Sequence, residues 1–169
     1  ARFNAGENLK EILDSSEEHL ALIKNTKGGF DFFQGFYQMA KALNNQSATG
    51  LSWNDDTFND EQTFNRLFQE GNKTKLALFL SAKCNFLYLT GNFREALAES
   101  SRLEEFTENI LGDIQEVSFA LYTSLSISAR YKNLNAEEKK KYLKTFKKHL
   151  KDMKLWAKGC PENYSQHYH

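Results

Sequence analysis

The side chains able to do chemistry are few and far apart. Four histidines (His19, His149, His167 and His169) and two cysteines (Cys84 and Cys160) are the candidate soft ligands and nucleophiles. No histidine lies in an H-E-x-x-H pair, and none is spaced with a cysteine or carboxylate as a zinc site requires. His167 and His169 flank Tyr168 and read as a frayed chain end rather than a chelate. Cys84 sits inside LALFLSAKCNFLYL (76–89), the most apolar stretch, where a thiol is a buried and unreactive packing group. The cysteines make no CxxC pair and read as reduced thiols of a cytoplasmic protein. Glu17-Glu18 and Glu104-Glu105 are adjacent on helices, so each pair diverges into solvent. No G-x-x-x-x-G-K-[ST] phosphate loop occurs, and Gly28-Gly29 has neither the Lys-[ST] after it nor a strand before it. The expectation is a chain with no catalytic residue, no metal and no cofactor.

One set of side chains is spaced for binding rather than reaction. Lys140, Lys144, Lys147, Lys151 and Lys154 share one face of a helix, with Lys148 beside them. Such a face can hold an acidic partner, a nucleic acid or an anionic membrane surface. It also serves as a solvated backing that keeps the apolar side turned inward. The lack of interleaved arginines and aromatics favours the solvated reading and makes nucleic acid the weaker partner.

The elements that carry these residues are helical throughout. With nine Gly, one Pro and 14 Phe in 169 residues, helix breakers are scarce and bulky apolar residues plentiful. Formal charge sums to zero, yet residues 1–131 hold 12 basic and 18 acidic side chains (−6) while residues 132–169 hold 10 and 4 (+6). That asymmetry predicts contact between the halves or with a charged neighbour. The longest apolar stretch has 14 residues and includes Lys83, short of the roughly 20 that span a bilayer.

Periodicity predicts a helix over 6–25 with Leu9, Ile12, Leu13, Leu20 and Ile23 on one face, ended by Lys27-Gly28-Gly29. A second is expected over 30–44, with Phe33, Phe36, Tyr37, Ala40 and Leu43 inward and the aromatic run GGFDFFQGFYQ mostly core. The polar connection 44–60 is expected to be pinned by Leu51, Trp53 and Phe58. Helical pattern resumes from Asp60 to about Thr90, kinked or divided at Gly71. Asn92 is expected to cap a helix bearing Phe93, Ala96, Leu97, Leu103 and Ile110. A helix from Ile114 to Tyr131 carries Val117, Ala120, Leu121, Leu125 and Ser128, and Asn135 caps the last long helix, 136–158. Its predicted stripe is Tyr142, Leu143, Phe146, Leu150, Met153 and Ala157. Pro161 restarts a helix after Gly159.

The whole therefore reads as one all-α domain, 1–169, a piece of a larger protein, with antiparallel hairpins over about 6–44, 60–111 and 114–158 stacked as an α-solenoid segment. Within it Ala82, Phe86, Leu87, Tyr88, Gly91, Asn92, Phe93, Ala96 and Leu97 resemble a tetratricopeptide hairpin, with the T-G-N-F stretch as its corner. Helix starts at 72 and 114 lie about 42 residues apart, longer than the tetratricopeptide period of about 34.

KLALFLSAKCNFLYLTGNFREALAESSRLEEF, FALYTSLSISARY and KLWAKGCPENY follow one another as in a known helical region. With LSWNDDTFNDEQ and FYQMAKALNNQS upstream, the chain from about residue 8 to 168 resembles the tetratricopeptide-like region of very large bacterial multi-domain signalling kinases. Those proteins join a Ser/Thr-kinase-like domain, an AAA-type ATPase, this array, a GAF sensor and often a histidine kinase. The resemblance implies a non-catalytic scaffold or regulatory module of a sensor kinase, contacting neighbouring domains or another protein. The alternatives are a freestanding adaptor that binds an acidic partner or nucleic acid through the lysine face, and a helical enzyme with a site that no motif announces.

Overall fold

The computed structural model describes residues 2, 3, 5–23, 29–44 and 52–168. Eight α-helices follow in order: α1 (Leu9–Ile23), α2 (Gly29–Leu43), α3 (Asp60–Gln69), α4 (Lys73–Leu89), α5 (Phe93–Leu103), α6 (Ile114–Arg130), α7 (Ala136–Gly159) and α8 (Pro161–Tyr168). Short 3-10 helices extend α5 (Glu104–Ile110) and α6 (Tyr131–Asn133). No strand occurs among the described residues; one isolated antiparallel bridge joins Asp55 and Phe58. The chain is all-α.

The helix ends follow from local chemistry. Asn59, Asn72 and Asp113 each accept a hydrogen bond from a backbone N–H of the first turn of α3, α4 and α6. Asn135 and Glu138 form a reciprocal capping box on α7. Gly71, at φ 69°, divides α3 from α4. The T-G-N-F stretch is a helix–helix corner: Gly91 takes φ 80°, its N–H donates to the Tyr88 carbonyl, and the Asn92 N–H donates to the Leu87 carbonyl at 2.8 Å. That is the bond pair of a Schellman closure, which needs a left-handed residue at the glycine. Contrary to the expectation from its position, Asn92 does not cap α5 with its side chain. Its amide donates to Thr90 Oγ1 at 3.0 Å instead.

α4 is the centre. It packs against α2, α3, α5, α6 and the first 3-10 helix, and eleven of its 17 residues are buried. α2 crosses it closely because Gly35 has no Cβ: one built there would lie 3.2 Å from both Ala82 Cβ and the Phe79 Cα. The connection before α3 is pinned as expected by Trp53 and Phe58, whose rings meet Phe79 and Phe86. Leu51 and the Lys27-Gly28 turn lie outside the described residues.

Salt links tie these layers. Lys83 of α4 reaches Asp60 at 2.6 Å and Glu99 of α5 at 2.8 Å. Asp31 of α2 takes Arg66 at 2.7 Å and Lys75 at 2.9 Å. Lys41 of α2 meets Asp55 at 2.7 Å, and Gln38 donates to the Trp53 carbonyl at 2.8 Å. These pairs fix α2, α3, α4, α5 and the 52–59 connection relative to one another.

Three predicted stripes need correction. On α6, Leu125 and Ser128 face solvent, while Ser118, Thr123, Ser124 and Ser126 are buried. Small hydroxyl residues let α6 approach α5, where Thr123 donates to Ser100 Oγ at 3.0 Å. On α7 the buried line runs through His149 and Met153, and Leu143 and Leu150 are each 38% exposed. The true line, 142–146–149–153, follows the 3.6-residue period one position away from those leucines. On α2, Phe33 is 58% exposed and Phe32, Phe36 and Tyr37 are only half-buried. The aromatic run is less a core than the wall of a cavity.

Candidate functional site

The residues singled out for chemistry do not converge. His19 is exposed, its Nδ1 held 2.6 Å from the Ser15 carbonyl oxygen. His149 lies in the α6–α7 contact, edge-on to the Phe119 ring at 5.3 Å, and burial lowers its pKa to about 4. His167 is half-buried on α8, and His169 lies outside the described residues. Cys84 is buried, and desolvation pushes its thiol up to about 12, so it stays protonated. Glu17, Glu18, Glu104 and Glu105 are exposed. Among the described residues no group of three potential metal ligands gathers.

The predicted lysine face is a real surface. Lys140, Lys144, Lys147, Lys151 and Lys154 are all exposed on α7. Among the described residues none of the five has a carboxylate within ion-pair distance, in contrast to Lys75 and Lys83 of α4. The misplaced leucines alter its character. Leu143, Leu150 and Leu155, the last 66% exposed, stand beside these cations. The face therefore combines positive charge with apolar side chains.

A second place was not foreseen. Between the α1–α2 hairpin, α4 and the first turn of α6 lies a cavity of about 760 Å³. α1 packs chiefly on α2, so its inner face (Ile12, Ser16, Leu20) stands away from α4 and leaves this space. Phe32, Phe33, Phe36 and Tyr37 of α2 form one wall, and Phe3 lies on another side. Most of its polar groups are already engaged. Tyr37 donates to Glu17 at 3.0 Å, and burial together with that carboxylate raises its pKa to about 12. Asp113 caps α6, and Arg2 pairs with Glu7. Neither Glu17 nor Glu7 lines the cavity itself.

Two polar atoms there lack partners. Asn85 is 1% exposed, and its Oδ1 accepts no hydrogen bond; Gln115 Oε1 is likewise buried and unpaired. Other such atoms, Trp53 Nε1, Ser81 Oγ, Ser124 Oγ and His149 Nδ1, lie elsewhere in the packed interior; Asn85 and Gln115 line the cavity, yet neither of these oxygens is itself open to it. The signal in the sequence was Asn85 itself, an amide within an otherwise apolar run. Gln115 gave none, since a glutamine in a helix's first turn is ordinary. No helix among the described residues is long and apolar enough to cross a membrane. No protein-family model matches the chain, and neither a curated protein nor a solved structure matches it.

Proposed function

We propose that this chain is a non-catalytic helical-repeat module that scaffolds contacts in signal transduction, as in the tetratricopeptide-like arrays it resembles. Successive hairpins α1–α2, α4–α5 and α6–α7 support the reading. α4 packs on α2 behind it and α6 ahead of it, and α5 also packs on α6, the neighbour-to-neighbour pattern of a solenoid. The stacked hairpins would couple a kinase-like or ATPase domain on one side to sensor domains on the other.

The observation that carries the functional half is the outer face of α7: five lysines without carboxylate partners among the described residues, set among exposed leucines. An exposed cation adds little to stability, and an exposed leucine adds less than a buried one. Their combination suits an acidic protein surface with apolar side chains of its own. Nucleic acid is the weaker fit, because the face lacks arginines to grip phosphate in pairs. Carbodiimide cross-linking of the intact gene product tests the reading, because it joins lysines directly to touching carboxylates. Lys147 and Lys151 are expected to link to Asp or Glu of another domain or subunit. Their links falling wholly within residues 1–169 of the same molecule, or not forming, would reject it.

A further inference from the structure

We infer that the lysine–leucine face of α7 docks on the outer face of α1 in a second copy of this chain, so that copies join head to tail through unlike surfaces. The inference names the partner of the α7 face, and it rests on the reading of that face as a contact surface.

The two helices stand at the ends of the packing order. α1 packs chiefly on α2, and α7 on α6 and α8, while α2, α4 and α6 stack between them. Their outward sides carry opposite charge. α1 holds four carboxylates and one lysine (−3), whereas α7 holds nine lysines and three carboxylates (+6). At about 100° per residue, Glu11, Asp14, Glu18 and Leu22 fall on one face of α1, turned away from Ile12, Ser16 and Leu20 at the cavity. All four are exposed, Leu22 at 78%. Glu17 is engaged by Tyr37, but the ion pairs among the described residues use none of Glu11, Asp14 and Glu18. The face is thus the counterpart of the one on α7, carboxylates beside an exposed leucine against lysines beside exposed leucines. Spacing agrees as well: Glu11 to Glu18 and Lys144 to Lys151 are each a step of seven residues, about 10 Å along a helix. The other acidic stretch, Glu104–Ile110, already lies beside α7 of its own copy, where Thr145 donates to Glu104 at 3.5 Å. Complementary charge selects which faces meet, and the leucines add the apolar contact that exposed ion pairs alone do not supply. Because the two faces differ, each copy keeps one to offer the next.

Sedimentation velocity of the 169-residue chain is the first test. At about 0.05 M salt the sedimentation coefficient is expected to rise beyond the monomer value as concentration approaches about 1 mM, and at about 0.5 M salt to fall back, because exposed charges are then screened. Glu11→Lys with Glu18→Lys, and separately Lys147→Glu with Lys151→Glu, should each weaken association at least about tenfold, since like charge then meets like. Mixing the two variants should restore it, because each reversed face finds its opposite. A monomer at both salts, undiminished association in either variant, or a mixture of folded variants that does not recover would overturn the assignment. Carbodiimide treatment of mixed 14N and 15N chains needs no variant. It should join Lys147 or Lys151 of one isotope to Glu11, Asp14 or Glu18 of the other, and links to Glu104, Glu105 or Glu108 of the second copy instead would overturn it. Should those lysines link to another domain of the intact gene product and never to a second copy's α1, this inference fails and the scaffold reading stands. Should they link to nothing outside their own molecule, both fail.

Discussion

Two lysine-bearing helices of this molecule use the same residue type in opposite ways. On α4, Lys75 and Lys83 lie among buried neighbours, and each reaches two carboxylates on other elements. On α7, five lysines stand in solvent with no carboxylate beside them among the described residues. The first pair holds helices together; the second set leaves its charge unspent. Helix α4 is surrounded on all sides, whereas α7 buries only His149 and Met153. The contrast separates what builds the fold from what the fold presents.

The comparison breaks most severely at Phe86. It is 2% exposed and packs at 5.1 Å from Trp53, so Phe86→Ala is expected to cost about 4 kcal/mol in denaturant unfolding. A loss below about 1 kcal/mol would mean that α4 is not the centre.

His149 gives the next effect, on the other helix. Burial lowers its folded pKa from 6.5 to about 4, so the folded state resists protonation that the unfolded chain accepts. Its contribution is complete above about pH 6.5, declines as pH falls from there, and levels off below about pH 4, a loss of about 3 kcal/mol. His149→Leu should flatten that part of the stability–pH curve. An unchanged slope between pH 6.5 and 4 would place the titration elsewhere.

Lys83→Met is expected to cost about 2 kcal/mol, because Asp60 and Glu99 would lose their shared cation in a poorly solvated place. The Lys83 hydrogen bond offsets burial and holds the Asp60 pKa below the usual carboxylate range. The wild-type pair therefore stabilises above about pH 4 and fails as pH falls below it, a decline the variant should lack. On α7, by contrast, Lys147→Ala with Lys151→Ala should move the melting midpoint by no more than about 1 °C. A larger drop would show that those lysines belong to the fold.

Much of this architecture was legible in the sequence. Gly91 and Asn135 announced a corner and a cap, and the apolar run 76–89 announced a helix buried all round. What escaped was rotation and distance. Period alone does not fix which edge of an apolar stripe meets its neighbour, so Leu143 and Leu150 were expected inward where His149 is found. Nor does it show how far apart two paired helices stand. Phe33 and Phe36 have the spacing of core residues, yet they border a cavity because α1 does not close onto α4. The lysine face does stand exposed on α7; that its neighbours are exposed leucines followed only from the packing of α6.

At 24 residues α7 outlasts the 17 of α6, its antiparallel mate, by seven residues or roughly 10 Å. That added length gives α8 a surface to pack on.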